Sequence, residues 1–553
     1  MSLKVPKANQ IQLFKDGYKH LQGIEDAVLR NIQAVSELSD LIRTSFGPNG
    51  RNKLLINHLG KLFVTSDAAT ILREMEVVHP AAKLVVMASQ AQEAEMGDAT
   101  NMVIMFAGEL LKKSEHLLVM GLHPSEIIRG YELACTKTLA ELESLSCSSL
   151  PIPFTQSAIA SALKPAIASK QYGYEDTLSS LVAEAAMVVM PPNPKNFNVD
   201  NVRVVKIMGG SLPNSRVVQG MVFGREPEGS IKKVQKAKVA VYTCGIDIAQ
   251  TETKGTVLIH NKEEMLNFTR GEEQQLETIL KEIADSGVRV IIAGSSVGEL
   301  ALHYLNRFNI AVLKVLSKFD LRRLCRVVNA TPLARIGAPT PEEAGFVDVF
   351  ECVEVGGDRV TVLRQEEGGE EKTRTATIVL RGATQNHLDD LERAIDDGVN
   401  VIKSLMKDQK LVPGAGATEL ELAKRIEVYG SGLKGLSQHA VRRYSSALEV
   451  VPRTLAENAF GAAEGNEVLS RLWAKHEEKG GEAWGVDIEA ETDGKTLSAV
   501  DHEILDSLAA KSWAVKLATE AAVAVLSVDS IIMSKPAGGP KIPQQAGNWD
   551  EDD

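Results

Sequence analysis

The spacing of apolar residues changes twice along this chain, and these changes limit the folds open to it. In segment 21–42 apolar side chains recur every three or four positions, which predicts an amphipathic helix, and helical patterns dominate to about residue 145. From about residue 221 short apolar runs replace this spacing, and helical spacing returns from His387 to the end. The pattern therefore predicts helical regions at both ends of the chain and an α/β region between them.

The middle region alternates predicted strands and helices. Short apolar runs at 239–242, 288–293 and 310–315 have the length of buried strands, and helical patterns at 273–286 and 297–308 lie between them. This β-α-β-α-β order is typical of a small α/β domain.

Further strands are predicted outside this order. A hairpin interrupts the helical N-terminal region, with strands at 53–57 and 61–65 and a turn near Gly60. Segment 202–217 is strand-like, and a strand at 377–380 follows an acidic, polar stretch. The acidic tail QQAGNWDEDD is predicted to be disordered.

Composition and charge exclude several functional classes. The 73 acidic and 61 basic side chains give a net charge of −12, which argues against nucleic acid as the main ligand, since clustered Lys and Arg meet phosphate backbones. The five cysteines form no CxxC pair or metal-ligand spacing, which favours a reduced setting. No run of eighteen apolar residues occurs, and the first ten residues lack an apolar signal core. We expect a cytoplasmic protein that binds neither nucleic acid nor membrane.

Two short motifs contain residue types that can hold phosphate. SFGPNGRNK, residues 45–53, has glycines on either side of a proline and ends in a lysine. EMGDATN, residues 95–101, puts Gly97 and Asp98 at the start of a long predicted helix, whose first N–H groups can bind phosphate oxygens. Asp98 could instead cap this helix, and local sequence favours that alternative, because capping aspartates greatly outnumber magnesium ligands. The same holds for Asp67 in VTSDAATIL.

Three further motifs carry little information when each is taken alone. LERAIDDGV contains Asp396 and Asp397, which point about 100° apart on a helix, so that at most one faces a given site. VPGAGATE is a turn of small residues that opens a helix and allows close approach of a ligand to the backbone. GVD and ILDS supply Asp487 and Asp506. The sequence lacks the GxxxxGK[ST] loop, a dinucleotide-binding glycine fingerprint and the HExxH zinc motif.

In chain order, these motifs resemble the nucleotide-site motifs of group II chaperonins. SFGPNGRNK, VTSDAATIL, EMGDATN, LERAIDDGV, VPGAGATE and the closing helix KLATEAAVAVLSVDSII follow that family's order over essentially the whole chain. The phrases FNVDNVRV, ETKGTVLI, DLRRLCR and MSKPAGGPK favour one subunit type of the eukaryotic cytosolic branch.

The resemblance implies an ATP/ADP site with Mg²⁺. Asp98 would ligate the metal, and Asp67 and Asp397 would position and polarise the attacking water, a division of roles that suits phosphoryl transfer. Asp506 would bind the ribose hydroxyls, and Lys170, which follows Ile167-Ala168-Ser169, matches a family lysine near the γ-phosphate. The nucleotide and its metal would be held by Phe46, Gly47, Pro48, Gly97, Asp98, Ala99, Thr100, Asn101, Met102, Lys170, Gly414, Ala415, Gly416, Asp487, Asp506 and Lys511.

The resemblance also implies an α+β multidomain fold. A mostly helical equatorial domain would combine residues 1–150 and 408–553, and a small mixed intermediate domain would combine residues 151–219 and 372–407. Residues 220–371 would form an α/β apical domain that binds substrate, with a helical lid protrusion near residues 247–270.

Family members imply a particular assembly and activity. Eight different subunits, this chain and seven paralogues, would form each ring, and two rings would stack. ATP hydrolysis would close the lid over unfolded polypeptides such as actin and tubulin, with prefoldin-type co-chaperones as further partners.

Three alanines replace glycines that are usual in the family. They are Ala68, Ala99 and Ala415, and the family's GDGTT becomes GDATN here. A methyl group costs little where φ is negative and causes strain where φ is positive. We therefore expect ATP binding with slow or weakly coupled hydrolysis.

Two alternatives remain open at this point. The chain could be a ring component that holds nucleotide with little turnover. It could also be an ATP-dependent transferase that uses the central α/β domain, although the sequence shows no catalytic constellation there.

Overall fold

The computed structural model describes residues 19–22, 27–57, 60–247, 261–365, 375–489 and 494–533. In these ranges, no helix is long and apolar enough to cross a membrane. The helices of the described residues are α1 (Leu29–Arg43), α2 (Ala68–Glu74), α3 (Pro80–Glu95), α4 (Thr100–Val119), α5 (Pro124–Ser144), α6 (Gln156–Ala168), α7 (Glu175–Val189), α8 (Lys262–Asp285), α9 (Glu299–Arg307), α10 (Lys318–Val328), α11 (Gln385–Lys407), α12 (Ala417–Gly432), α13 (Ser437–Leu448), α14 (Val450–Phe460), α15 (Ala462–Glu477) and α16 (Leu508–Leu526).

The strands are short outside the middle of the chain and longer within it. They are β1 (Lys19–Gln22), β2 (Lys53–Ile56), β3 (Leu62–Thr65), β4 (Ser148–Ser149), β5 (Val202–Met208), β6 (Arg216–Phe223), β7 (Lys233–Tyr242), β8 (Val288–Ala293), β9 (Ala311–Lys314), β10 (Pro332–Leu333), β11 (Gly345–Val355), β12 (Asp358–Arg364), β13 (Ala376–Gly382), β14 (Lys410–Pro413), β15 (Trp484–Val486), β16 (Thr496–Ser498), β17 (Leu505–Ser507) and β18 (Ser530–Met533).

Helices from both ends of the chain share one hydrophobic core. Helix α4 lies at its centre, and residues 102–111 of this helix are all buried, because α4 is apolar on every side near its start. Helices α1, α3, α13 and α16 pack around it. Glu109 is the charged residue of this buried run, and Arg43 on α1 neutralises it at 2.9 Å.

Aromatic rings fix the packing between the two chain ends. The ring of Phe106 on α4 meets the edge of Tyr444 on α13 at a centroid distance of 5.3 Å. Tyr444 also contacts the ring of Tyr131 on α5 at 5.7 Å, and its hydroxyl bonds Thr519 on α16 at 2.9 Å. Four helices, two from each end of the chain, therefore meet at one residue.

The middle of the chain forms a nine-stranded mixed sheet. Its strands follow the order β5-β13-β6-β12-β11-β7-β8-β9, and β10 pairs with β7. Strands β7, β8 and β9 are parallel and alternate along the chain with α8 and α9, which confirms the predicted β-α-β-α-β order. Antiparallel pairs β11–β12 and β12–β6 join this part to β13 and β5.

Helices α6, α7 and α11 form a separate core beside this sheet. Their apolar faces pack together and against β13 and β5. Strand β6 runs through the predicted boundary between residues 219 and 220, so the sheet is continuous there. The three-domain division itself stays a prediction.

One helix prediction was too long. The spacing in segment 21–42 predicts a helix from Leu21, but Leu21 lies in β1 and pairs with Ile531 of β18, and α1 begins at Leu29. The strand forms because its hydrogen-bonding partner arrives from the other end of the chain, which local periodicity does not record. The predicted hairpin is confirmed as β2 and β3.

Parts of three predicted features lie outside the described residues. These parts are most of the predicted lid (248–260), most of the acidic stretch before β13 (366–374) and the acidic tail (544–553).

Truncation of Phe106 should destabilise the helical core strongly. Phe106→Ala removes a fully buried ring from the contact with Tyr444, so the free energy of unfolding should fall by about 3–5 kcal/mol. Val119→Ala, at an exposed position of the same helix, should change it by less than about 0.5 kcal/mol. Urea unfolding followed by circular dichroism measures both, and equal losses in the two variants would contradict this packing.

Candidate functional site

A cavity of about 490 Å³ brings most of the predicted nucleotide residues together. It lies where the loop after α1, the start of α4, the turn before α12 and the start of α16 converge, and its volume is typical of small-molecule sites. The predicted residues that line it are Phe46, Gly47, Pro48, Asp98, Ala99, Met102, Ala415, Gly416, Asp487, Asp506 and Lys511.

The loop after α1 is held against the cavity by a side chain from α14. The Asn458 amide donates to the carbonyls of Phe46 and Arg43 at 2.8 and 3.1 Å. Gly47 has φ +80°, a left-handed conformation that favours glycine, and a Cβ there would lie 2.6 Å from Leu455 Cδ2, so the end of that side chain would have to shift. Lys53, the lysine that ends this motif, bonds Thr44 at 2.5 Å and does not line the cavity.

A three-membered ion cluster lies beside the cavity. Lys170, just after α6, contacts Asp67 Oδ1 at 2.7 Å and also pairs with Asp397 Oδ2 on α11. Ser169, the neighbour of Lys170, lines the cavity itself. The three predicted residues thus come from separate parts of the chain and meet through one ammonium group.

Asp67 has two roles in this cluster. It caps α2 as the local alternative predicted, accepting the N–H of Thr70 at 2.9 Å and its hydroxyl at 2.8 Å. Burial would raise the pKa of Asp67, but Lys170 and these hydrogen bonds outweigh burial and hold its pKa well below the ordinary value. Asp67 is therefore ionised at neutral pH.

The pKa values of Asp397 and Asp98 shift in the opposite direction. Burial raises the pKa of Asp397 well above its usual value, against the attraction of Lys170, and Asp67 adds repulsion. Burial likewise raises the pKa of Asp98, which also feels Lys170 as well as Asp506 and Asp67. Asp67, Asp98 and Asp397 therefore share one cation, Lys170. This excess of acidic groups favours the binding of a further cation.

Asp98 is not the cap of α4. The N-cap position belongs to Ala99, and Asp98 Oδ1 accepts the Ala99 N–H at 2.7 Å. Gln92 fixes this turn by donating to the Asp98 carbonyl at 2.9 Å. The start of α4 thus faces the cavity, where first-turn N–H groups and the helix dipole favour an anion.

A second buried ion cluster forms the opposite wall. Lys511 on α16 lies 2.6 Å from Glu419 Oε1 and 3.0 Å from Asp506 Oδ2. Burial would lower the pKa of Lys511, but the two carboxylates outweigh it and raise that pKa. Asp506 stays partly exposed and lines the cavity.

Some predicted residues support the site from outside the cavity lining. Asn101 Oδ1 accepts the N–H of Ala68 at 3.2 Å, which ties the start of α4 to the start of α2. Thr100 is buried, and Gly97, with φ +76°, leaves no space for a Cβ beside Asn400. Gly414 bonds the carbonyl of Ile504 at 2.8 Å. In the described residues, no group of three or more His, Cys, Asp or Glu is placed to hold a metal ion.

Comparison with known proteins agrees with this geometry. The model of the TCP-1/cpn60 chaperonin family matches residues 38–536. The chain belongs to the TCP-1/cpn60 chaperonin family. It is 56% identical to a protein named probable T-complex protein 1 subunit theta of Schizosaccharomyces pombe, over 100% of both chains. T-complex protein 1 subunit theta of Saccharomyces cerevisiae is 53% identical and that of Homo sapiens 51%, each over 100% of both chains. The resemblance to group II chaperonins, and within them to the theta subunit of the cytosolic chaperonin CCT/TRiC, is confirmed.

The backbone angle φ differs among the three positions at which this chain has alanine and chaperonins usually have glycine. Ala68 begins α2 with an ordinary negative φ, whereas Ala99 has φ +63° and Ala415 has φ +52°. A left-handed conformation costs an L-residue about 1–2 kcal/mol. The two alanines that line the cavity are therefore strained, and Ala68 is not.

The neighbourhood of Ala415 contains a matching glycine. A Cβ on Gly485 would lie 2.7 Å from both the Cβ and the carbonyl oxygen of Ala415. The Ala415 carbonyl also accepts the Val486 N–H at 3.0 Å. Because Gly485 on β15 has no Cβ, there is space beside it for the methyl group of Ala415.

Sequence reasoning missed several residues of the site. Glu419 lies inside the quoted motif VPGAGATE, and its signal was a charged residue in the first turn of a buried helix. Tyr172 and Glu489 line the cavity and bond each other across it, and no motif contains them. Thr65, Gln171 and Asp390 surround the Lys170 cluster. Gln171 and Asp390 lie outside the site motifs, and Thr65 lies inside VTSDAATIL, which assigned it no role.

Restoring glycine should relieve strain at two of the three alanine positions. Ala99→Gly and Ala415→Gly should each raise the free energy of unfolding by about 0.5–1 kcal/mol, because glycine adopts positive φ freely. Ala68→Gly should instead lower it by about 0.5–1 kcal/mol, since glycine is unfavourable in a helix. Denaturant unfolding measures all three, and the same sign for the three variants would refute this assignment of strain.

Proposed function

We propose that this chain is an ATP-hydrolysing subunit of a hetero-oligomeric, double-ring cytosolic chaperonin. One observation carries the proposal: Lys170 joins Asp67 and Asp397 beside Asp98, at the edge of a cavity of nucleotide size. Phosphoryl transfer depends mainly on positioning and on stabilisation of charge, and this cluster supplies both.

The cavity offers complementary groups to each part of ATP. The start of α4 would hold the phosphates, and the turn formed by Gly414, Ala415 and Gly416 would pack against the nucleoside. Asp506, held by Lys511, would accept the ribose hydroxyls. Lys170 would approach the γ-phosphate, where a cation offsets negative charge.

The residues fit Mg²⁺ bound together with nucleotide. Mg²⁺ is usually held by one or two carboxylates with substrate phosphates and water, and Asp98 provides such a carboxylate just before the N-cap of α4. When bound, Mg²⁺ would neutralise charge on the phosphates. Asp67 and Asp397 would orient the attacking water, and their contacts with Lys170 keep both carboxylates at a fixed separation.

The strained backbone supports slow turnover. Ala99 and Ala415 both line the cavity in left-handed conformations, so their methyl groups narrow the space for nucleotide. A second candidate function follows from the same observation: a ring subunit that binds nucleotide, hydrolyses little and acts structurally.

Exposed apolar residues support assembly with other subunits. Leu54, Ile56 and Leu62 on the β2–β3 hairpin have exposed fractions of 64%, 68% and 51%. A two-stranded hairpin is only marginally stable alone and has free edges, so contact with a neighbouring subunit would stabilise it. We propose that seven paralogues complete each ring with this chain and that two rings stack.

The sheet-containing middle region would bind unfolded clients. Phe319 at the start of α10 is 76% exposed, and Leu316 just before it is also exposed. Such residues can contact apolar segments of unfolded proteins, such as actin and tubulin. The proposed lid near residues 247–270 would close over them on hydrolysis, and prefoldin-type co-chaperones would deliver them. The assembly would act in the cytoplasm.

Asp397→Asn should abolish hydrolysis in this subunit and leave nucleotide binding intact. Assembled rings are incubated with Mg²⁺ and a photoreactive ATP labelled on the α- or the γ-phosphate, then irradiated, and this chain is isolated. The α-label reports binding and the γ-label reports unhydrolysed nucleotide. Loss of γ-label should slow by about 10²–10⁴-fold.

Asp396→Asn is the matched control for this experiment. Asp396 is the adjacent residue, and the charged groups around it are Glu392, Lys206 and Arg323, away from Lys170. It should lose γ-label at the normal rate. If the unchanged chain keeps its γ-label, the structural alternative is correct. If Asp397→Ala here lowers total ring ATPase as much as the equivalent change in a sister subunit, hydrolysis in this subunit is not slow.

Ile56→Lys should reduce entry of this chain into rings. A charge on the exposed apolar face of the hairpin would be desolvated in a subunit contact, so recovery with a tagged sister subunit should fall at least fivefold, by about 1 kcal/mol or more. Lys61→Gln, a polar change on the same hairpin, should have little effect. Undiminished recovery of the Ile56 variant would remove the hairpin from the proposed contact.

A further inference from the structure

A partly buried carboxylate outside the cavity contacts both flanks of the Lys170 cluster. Asp390 lies on α11, and its Oδ1 accepts the hydroxyl of Thr65 at 3.1 Å. That hydroxyl oxygen in turn accepts the backbone N–H of Asp67 at 3.1 Å. Thr65 is fully buried, so its hydroxyl depends on these two partners.

The second oxygen of Asp390 reaches the other flank. Asp390 Oδ2 accepts the side-chain amide of Gln171 at 2.5 Å. Gln171 directly follows Lys170, and the backbone N–H groups of both residues bond the Ile167 carbonyl at 2.8 and 3.0 Å. The position of Gln171 therefore constrains where the Lys170 side chain begins.

Asp390 and Asp397 lie on the same face of α11. They are seven residues apart, which is nearly two helical turns and about 10.5 Å along the axis. One rigid helix thus carries a proposed catalytic carboxylate and a second carboxylate that anchors the segments of the other two cluster members.

We propose that Asp390 is a positioning residue for the hydrolysis reaction, which sets the geometry of Asp67 through Thr65 and of Lys170 through Gln171. This inference rests on the proposed function. Asp390 does not line the cavity and would not touch nucleotide. Its effect would appear in the rate of the chemical step and not in nucleotide affinity.

The carboxylate form is needed for this role. An ionised carboxylate only accepts hydrogen bonds, so Asp390 can serve the hydroxyl of Thr65, the amide of Gln171 and the nearby Arg393 guanidinium, 3.5 Å away, together. Asparagine keeps the shape but presents one acceptor and one donor. Asp390→Asn therefore leaves one flank without its acceptor.

The test uses assembled rings and the α- and γ-labelled photoreactive ATP described above. Asp390→Asn should slow loss of γ-label from this chain by about 10- to 100-fold. The ATP concentration that gives half-maximal α-label should change by less than twofold. Asp389→Asn is the matched control, because Asp389 neighbours Asp390 but pairs with Lys206 and Gln385, and it should behave as the unchanged chain.

Thr65 provides an independent variant if the Asp390 variant fails to enter rings. Thr65→Val removes the hydroxyl that links Asp390 to Asp67 and should slow γ-label loss to a similar degree. Thr65→Ser keeps the hydroxyl and should restore the normal rate. If Thr65 had only a packing role, the rate of γ-label loss would instead depend on side-chain volume, and Thr65→Val would be tolerated better than Thr65→Ser.

The outcomes separate this inference from the function on which it rests. Normal γ-label loss in both the Asp390 and the Thr65→Val variants, while Asp397→Asn blocks it, would overturn the positioning role and leave the proposed function standing. Parallel loss of α-label and of rate would also overturn it. No γ-label loss from the unchanged chain would overturn both.

Discussion

The ammonium group of Lys170 is the interaction on which the arrangement of this chain depends. Asp67 precedes Ala68 of the helical core built from both chain ends, whereas Lys170 and Asp397 adjoin the α6–α7–α11 core. Two carboxylates this close would repel each other without a cation between them. The same contact that permits the paired acids therefore also joins two hydrophobic cores.

The strained turns show how the chain balances conformation against space. Ala99 and Ala415 keep the left-handed backbone that opens α4 and α12, although their methyl groups make that backbone costly. The turn before α12 persists because hydrogen bonds from its neighbours, including Val486 N–H to the Ala415 carbonyl, determine it from outside. Retention of this geometry against the local cost indicates that the cavity requires it.

The sequence predicted the cavity better than its surroundings, for physical reasons. Backbone-shaping residues such as Gly47 and Gly416 leave a motif, because close packing and positive φ favour glycine. Asp390 lies outside every site motif, and Thr65 lies in one that assigns it no role, since their contact joins residues 325 positions apart and a hydroxyl with a carboxylate partner looks ordinary in sequence. Strand β1 was missed for a similar reason. Periodicity describes side chains, whereas β1 pairs with the distant strand β18 through its backbone. The positive φ of Ala99 could not be predicted either, because alanine disfavours the left-handed conformation that it adopts here.

Helix α11 connects the proposed nucleotide site to the mixed sheet through adjacent residues. Asp397 faces Lys170. About 100° around the helix, burial, with repulsion from Glu392, raises the pKa of Asp396 to about 6, while Lys206 and Arg323 attract it. Arg323 lies on α10, the helix whose first turn exposes Phe319. Because side chains one residue apart on a rigid helix move together, any rotation of α11 that moves Asp397 must also shift Asp396 against Arg323. Helix α11 therefore places a residue of the proposed nucleotide site next to one that is attracted by a charged group of α10, the proposed client-binding helix.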